Sequence, residues 1–240
     1  MTLLTALSAR PQAVIFDMDG LMLDSERALL GCLAQAGAAA GHDLPEAFLL
    51  SLIGSSDALT RQRIAAQVGA DAVDALLQNS YARYDGLVAA GVPHRPGIVD
   101  LLDTLVAHGV PRAVATSTRR PLALRKLESA GLLPYFEHVA TSSDVAHAKP
   151  APDIYLLAAA RLGVEPRHCL ALEDSPTGVR AALAAGMSVI QVPDLLEPDA
   201  DVRALGHAIA GSLHDVRGLL LPLLEAPLPV GEGVGVRVRA

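Results

Sequence analysis

Short apolar runs that stop at polar clusters alternate with longer amphipathic stretches along most of this chain. The first run, Ala13-Val-Ile-Phe16, gives way at once to Asp17-Met-Asp-Gly20, which predicts a buried strand running into a loop. Comparable runs at Pro111 to Thr116, His138 to Thr141, Cys169 to Leu172, Ser188 to Val192 and Ala208 to Ile209 predict five further strands. Between them, apolar residues recur at helical spacing over Gly97 to His108, Pro121 to Ala130, Pro152 to Leu162, Thr177 to Ala185 and Leu213 to Leu224. Proline stands at or near several of these starts, and Gly109, Gly131, Gly163 and Gly186 close four of the helices. Strands alternating with helices predict an α/β fold with a doubly wound, Rossmann-like parallel sheet. From Asp24 to Gly91 the strand pattern lapses, and helical spacing over Glu26 to Ala40, Asp57 to Val68 and Asp71 to Ala90 predicts an inserted helical unit. The expected division is therefore a core of residues 1–23 and 92–240 and an insertion of residues 24–91, with 227–240 a loose tail or a packed extension.

Composition narrows the partners. At 240 residues the chain has room for one core and a modest insertion. Only 3% of residues are aromatic, none is Trp, and the net charge is -7, so neither base stacking nor a concentrated basic face points to nucleic acid. The apolar stretch from Leu219 to Leu228 is interrupted by Pro222, Glu225 and Pro227, which excludes a membrane helix there. Cys32 and Cys169 stand far apart without metal-ligand spacing, and no export signal is read in MTLLTALSARPQ, so a soluble protein in a reducing cytoplasm is expected.

Four strand ends carry candidate chemistry. Asp17 and Asp19 follow the first strand, where parallel sheets gather ligands, and alternate residues of extended chain project to the same side. One carboxylate is then placed to attack while the other handles a proton; a solvated Asp pair beside a turn glycine is the plainer alternative. Thr116, with Ser117 and Thr118 before a helix, suits a phosphoryl oxygen or a simple N-cap. Lys149 precedes a proline-started helix and is either a fixed positive charge or an ordinary surface lysine. Glu173 and Asp174 end an apolar strand and suit either a hard divalent cation or a helix cap. Taken together, the four supply a nucleophile, an acid/base, positive charge and metal ligands, which is what phosphoryl transfer requires.

In order and spacing, FDMDGLMLDSE, VATSTRR, AKPAPDIY and LEDSPTGVRAALAAGM closely resemble the four motifs of the haloacid dehalogenase superfamily, in the branch that contains β-phosphoglucomutase and small sugar phosphatases. The resemblance spans about residues 12 to 192. It implies a Rossmann-like core with a helical cap inserted after the first motif, and a Mg²⁺-dependent phosphohydrolase working through an aspartyl-phosphate. Position by position, it makes Asp17 the nucleophile, Asp19 the general acid/base, and Thr116 and Lys149 the phosphoryl clamps. Metal binding falls to Asp17, the Asp19 carbonyl, Asp174 and Glu173, and backbone N–H groups near Gly20, Leu21 and Ser117 would bind the transferring oxygens.

Within that superfamily, the dehalogenases lack an acid/base two residues after the nucleophile, so Asp19 speaks against them. Phosphonate-cleaving relatives use a cap lysine, and none occurs between Asp24 and Gly91. The nearer alternative is a hexose-phosphate mutase. Such mutases carry histidine where this chain has Leu29 and an arginine near Gly54, where it reads Gly54-Ser-Ser-Asp57, with Arg61 and Arg63 further along. A non-catalytic binding protein on the same fold is disfavoured by retention of all four charged stations. The expected substrate is a small-molecule phosphate ester, and the Ser, Asp and nearby Arg of the Leu52 to Thr60 loop suggest polar, sugar-like contacts.

Overall fold

A computed structural model describes residues 9–53 and 57–226. Six parallel strands form one sheet: β1 (Ala13–Phe16), β2 (Arg112–Thr116), β3 (His138–Thr141), β4 (Cys169–Glu173), β5 (Ser188–Gln191) and β6 (Ala208–Ile209). Their order is β3-β2-β1-β4-β5-β6, which is the doubly wound arrangement, with the direction of winding reversing at β1. Helices α1 (Ser25–Ala39), α2 (Glu46–Ser51), α3 (Asp57–Val68) and α4 (Val73–Ala90) fill the interval between β1 and α5 (Ile98–Ala107). The remaining helices are α6 (Arg120–Ser129), α7 (Asp153–Leu162), α8 (Pro176–Ala184), α9 (Ala200–Arg203) and α10 (Leu213–Glu225).

Side chains alternate across the sheet and so divide the core in two. Val14 and Phe16 of β1 join Val114, Leu170, Leu172 and Ile190 beneath α5, α6 and α10. Ala13 and Ile15 face the other way, with Ala113, Ala115 and Ala171, against α7 and α8. Alanines dominate this second face, so α7 and α8 lie close on the sheet; on the first face, longer aliphatics fill a deeper layer. The inserted helices have a core of their own, in which Leu33, Leu49, Ile64, Leu76 and Leu77 meet.

Two crossings join this helical cap to the sheet domain. Leu23 bridges His94 in antiparallel fashion, the Asp24 N–H donates to Pro93 O at 2.8 Å, and the Arg95 N–H donates to Met22 O at 2.9 Å. Asp194, in the loop after β5, then binds Arg95 at 2.6 Å and Arg27 at 2.9 Å, one arginine from each crossing.

Boundaries agree with the sequence pattern to within one or two residues, but two short helices were absent from it and one helix opens differently. Helix α2 is absent from the pattern because six residues between Pro45 and the turn at Leu52 are too few to show helical periodicity. Helix α9 is shorter still; Asp199 caps it by accepting the Val202 N–H at 2.8 Å. The helix expected from Asp71 opens as a 3₁₀ turn at Ala70–Ala72 and becomes α-helical only at Val73. Among the described residues no helix is long and apolar enough to cross a membrane. The tail at 227–240 lies outside the described residues.

Because β4 lies between β1 and β5 and Leu170 is fully buried there, truncating it leaves a cavity that flanking strands cannot close. Leu170→Ala is expected to lower stability by about 2–5 kcal/mol. Urea unfolding followed by circular dichroism measures this, and a loss below about 1 kcal/mol would mean that the layer repacks freely.

Candidate active site

The site lies where β1, β2 and β4 end. The β1–β4 register pairs Phe16 with Leu172, so the next residues, Asp17 and Glu173, leave the sheet side by side. Lys149, in the segment before α7, reaches between them: its Nζ donates to Asp17 Oδ1 at 2.5 Å, Glu173 Oε1 at 2.6 Å and Ala115 O at 3.0 Å. Its side chain is only 5% exposed, so it is not an ordinary surface lysine. Burial pulls this ammonium toward the neutral form, but the charges of Asp17 and Glu173 outweigh burial and hold it above the usual lysine value.

Glu173 is fully buried and saturated by protein donors. Oε1 also accepts from Tyr155 Oη at 2.5 Å, and Oε2 accepts from Ser175 Oγ at 3.1 Å and from the Ser175 N–H at 3.3 Å. Ser175, not either acid, caps α8, through its acceptance of the Gly178 N–H. A side chain at Gly178 would place its Cβ 1.8 Å from Glu173 Oε1, so this position must be glycine for Glu173 to turn inward. Gly20 is constrained likewise, by a φ of 84° and a Cβ position 2.2 Å from Asp174 Oδ2.

One oxygen each from Asp17, Glu173 and Asp174 lies within 4.8 Å of the others. Burial raises the Asp17 carboxyl to about 7 against the pull of Lys149, with Glu173 and Asp19 adding to the rise. Burial likewise pushes Asp174 well above the carboxylate range, and Asp17, Glu173 and Glu26 push it further. A hard divalent cation would hold both Asp17 and Asp174 in their ionised forms, and the all-oxygen donor set suits Mg²⁺. Glu173, whose oxygens already serve Lys149, Tyr155 and Ser175, supports that cluster from behind.

Asp19 is in a different environment. Oδ1 accepts from Ser25 Oγ and from Lys126 Nζ, each at 2.7 Å, and Oδ2 accepts from Thr118 Oγ1 at 2.6 Å. Burial would raise this carboxyl, yet Lys126 and the two hydroxyls together hold it below its ordinary value. Lys126, on α6, also lies 5.2 Å from the centre of the Tyr84 ring on the cap helix α4. The sequence pattern gave no role to Lys126, Ser25 or Tyr155, and none toward Asp19 to Thr118. One signal was available: the 240 residues contain two lysines beside 17 arginines, and both lysines bind aspartates of the first motif.

The remaining expected residues divide. Thr116 is 1% exposed and accepts the Thr118 N–H at 3.1 Å, and α6 begins only at Arg120, so Thr116 closes a local turn instead of capping the helix. Ser117 is exposed beside it. Gly20 departs from expectation: its N–H donates to Leu23 O at 2.9 Å and so serves the turn, not an incoming oxygen. The Leu21 side chain is buried in the core beneath α5. In the Leu52 to Thr60 loop, residues 54–56 and the side chain of Asp57, on which the expected polar contacts fall, lie outside the described residues; Leu52, Ile53 and Thr60 line a cavity rich in leucine. Arg61 pairs with Asp74, and Arg63 donates to Ser51 O.

Comparison with known proteins places this geometry. Residues 11–186 match the family model of haloacid dehalogenase-like hydrolases. The chain is 35% identical over 186 residues to hexitol phosphatase A of Escherichia coli K12, covering 76% of this chain and 83% of that protein. It is 34% identical over 185 residues to the fructose-1-phosphate phosphatase YqaB of the same organism, covering 76% and 97%. A solved haloacid dehalogenase family hydrolase from Deinococcus radiodurans R1, with bound phosphate and sodium, superposes with a TM-score of 0.78 at 31% identity, covering 92% of this chain and all of that one.

The elevated Asp17 value has a sign that can be checked. A carboxyl whose folded pKa of about 7 exceeds its ordinary 3.8 stays protonated in the folded chain while the unfolded chain ionises, so its stability contribution is lost as pH rises toward 7. Without divalent cations, Asp17→Asn is therefore expected to gain stability relative to the parent between about pH 4 and pH 7, and to hold that gain above. Urea unfolding in EDTA across this range is the test; a gap that stays level or narrows contradicts the assigned environment.

Proposed function

Since the chain belongs to the haloacid dehalogenase-like hydrolases, we propose that it is a Mg²⁺-dependent phosphatase releasing inorganic phosphate from small phosphorylated sugars through an aspartyl-phosphate on Asp17. The observation that carries this reading is the Asp17–Lys149–Glu173 contact at the ends of β1 and β4, beside Asp174. Asp17 presents a carboxylate whose charge Lys149 offsets, so an anionic ester can approach it. Mg²⁺, held by Asp17 and Asp174 with Glu173 behind them, would further neutralise the charge shared by nucleophile and phosphate.

Asp19 is the acid/base. As it stands, three donors keep it ionised, which is the form that accepts a proton from water when the phosphoenzyme is hydrolysed. To protonate a leaving alkoxide it must first give up some of those contacts. Two of the groups around it, Ser25 on α1 and Tyr84 over Lys126, belong to the cap, so cap position and Asp19 protonation are linked. The Thr116 hydroxyl at the end of β2 and the backbone N–H groups of Ser117 and Leu21 are the groups we assign, with Lys149, to the transferring oxygens.

Release to water, not transfer to a second sugar position, follows from the cap. A mutase must grip a second phosphate, yet the described residues lining the cap cavity include Glu26 and six aliphatic side chains, and no cation. Arg61 and Arg63, the two candidates for compensation, are engaged with Asp74 and Ser51. Hexose phosphates incubated with the chain and Mg²⁺ are expected to yield free phosphate faster than an isomeric sugar phosphate, both followed by ³¹P NMR in one sample. Predominant isomer would move the chain to the mutase reading.

Asp17→Asn is expected to lower turnover by at least about a thousandfold with the fold retained. EDTA should abolish activity, and Asp174→Ala should raise the Mg²⁺ requirement about tenfold or more. Activity undiminished in EDTA would sink the metal assignment.

A further inference from the structure

Helix α1 begins at the reacting groups and climbs away from them. Its first residue, Ser25, donates to Asp19, and the next, Glu26, interacts with the carboxylates of Asp19 and Asp174. On the same face, at the spacing of successive helical turns, come Leu29, Leu30 and Leu33. Leu77 of α4 faces them, and Leu52 and Ile53 close the end beyond α2. Together these side chains line a cavity of about 220 Å³, in which the polar groups among the described residues are Glu26 at the end near the aspartates and the hydroxyls of Thr60, Ser80 and Tyr81. At about 30 Å³ per water, it holds roughly seven water-sized groups.

A hydroxyl placed against six aliphatic side chains gives up its water without finding a partner for every donor and acceptor, whereas a methylene placed there leaves water at a gain. From this geometry, and resting on the phosphatase reading above, we infer that the cap cavity is a hydroxyl-poor leaving-group subsite. It selects phosphate esters whose alcohol carries a contiguous alkyl or deoxy segment, up to roughly seven heavy atoms, over the corresponding polyols. Glu26, Thr60, Ser80 and Tyr81 offer partners for the few hydroxyls the subsite admits, and the aliphatic side chains take the alkyl segment.

Matched esters test this directly. With Mg²⁺, kcat/KM is measured for n-butyl phosphate against erythritol 4-phosphate and for 2-deoxyribose 5-phosphate against ribose 5-phosphate. The hydroxyl-poor member is expected to be preferred, by about tenfold or more in the first pair and severalfold in the second. Leu29→Asn and Leu30→Asn should each lower the preference at least about threefold. The ratio comes from one sample, so it does not depend on the fraction of variant that folds. Equal or inverted preference, or ratios unchanged in both variants, overturns the inference while phosphate release from the polyols leaves the phosphatase reading standing. No phosphate from any of the four esters overturns both.

Discussion

A single ammonium separates two carboxylates that the sheet register forces together. Asp17 and Glu173 follow paired residues of β1 and β4, so they leave the sheet as neighbours whatever their charge. Without a cation between them, two buried carboxylates would repel each other. Lys149 settles this, and the surrounding chain is arranged so that it does. The segment before α7 carries the lysine in, α7 adds the Tyr155 hydroxyl on Glu173, and α8 starts with a serine whose hydroxyl takes the opposite Glu173 oxygen. Glycine at 178 and at 20 leaves room for the Glu173 and Asp174 carboxylates. Three stretches distant in sequence, 17–20, 149–155 and 173–178, are thus positioned around one charge.

Much of this was legible before any coordinates. An apolar run that ends abruptly in acids reads as a buried strand meeting a polar rim, and two such ends stand at Asp17 and Glu173, with a hydroxyl ending a third run at Thr116 and Lys149 before a proline-started helix. What could not be read were pairings between elements. Lys126 sits mid-helix among polar neighbours and looks like any solvated cation; its partner, Asp19, is 107 residues earlier. Tyr155 lies within a recognised motif, but its hydroxyl bond to Glu173 exists only because α7 packs on the β1–β3 side of the sheet. Helices α2 and α9 escaped for a different reason, being shorter than the window in which helical periodicity can show itself. In the Leu52 to Thr60 loop, the described residues that line the cavity are two aliphatics, Leu52 and Ile53, and one hydroxyl, Thr60, a mixture that polar composition alone did not indicate.

The cap and the sheet domain meet through an arrangement that resists both separation and slippage. Asp194 binds one arginine from each crossing, and its side chain is 2% exposed, so water competes little for those contacts. Backbone bonds between the crossings fix their mutual register, while Lys126 and Tyr84 form a second, softer contact next to Asp19. Motion of the cap about the crossings therefore changes the surroundings of Asp19 more than those of Asp17, whose hydrogen-bond partner Lys149 belongs to the sheet domain.

The sparing use of lysine has a consequence of another kind. Arginine fills 17 of the 19 basic positions, and the two lysines have side chains no more than 6% exposed. An amine can react with acyl donors or conjugating enzymes only when it is accessible and has lost its proton, and Lys126 and Lys149 are enclosed and held charged by their aspartates. Within these 240 residues no side-chain amine is available on the surface for acetylation, ubiquitin attachment or glycation. Labelling of an ε-amine here would report that the reacting centre itself had opened.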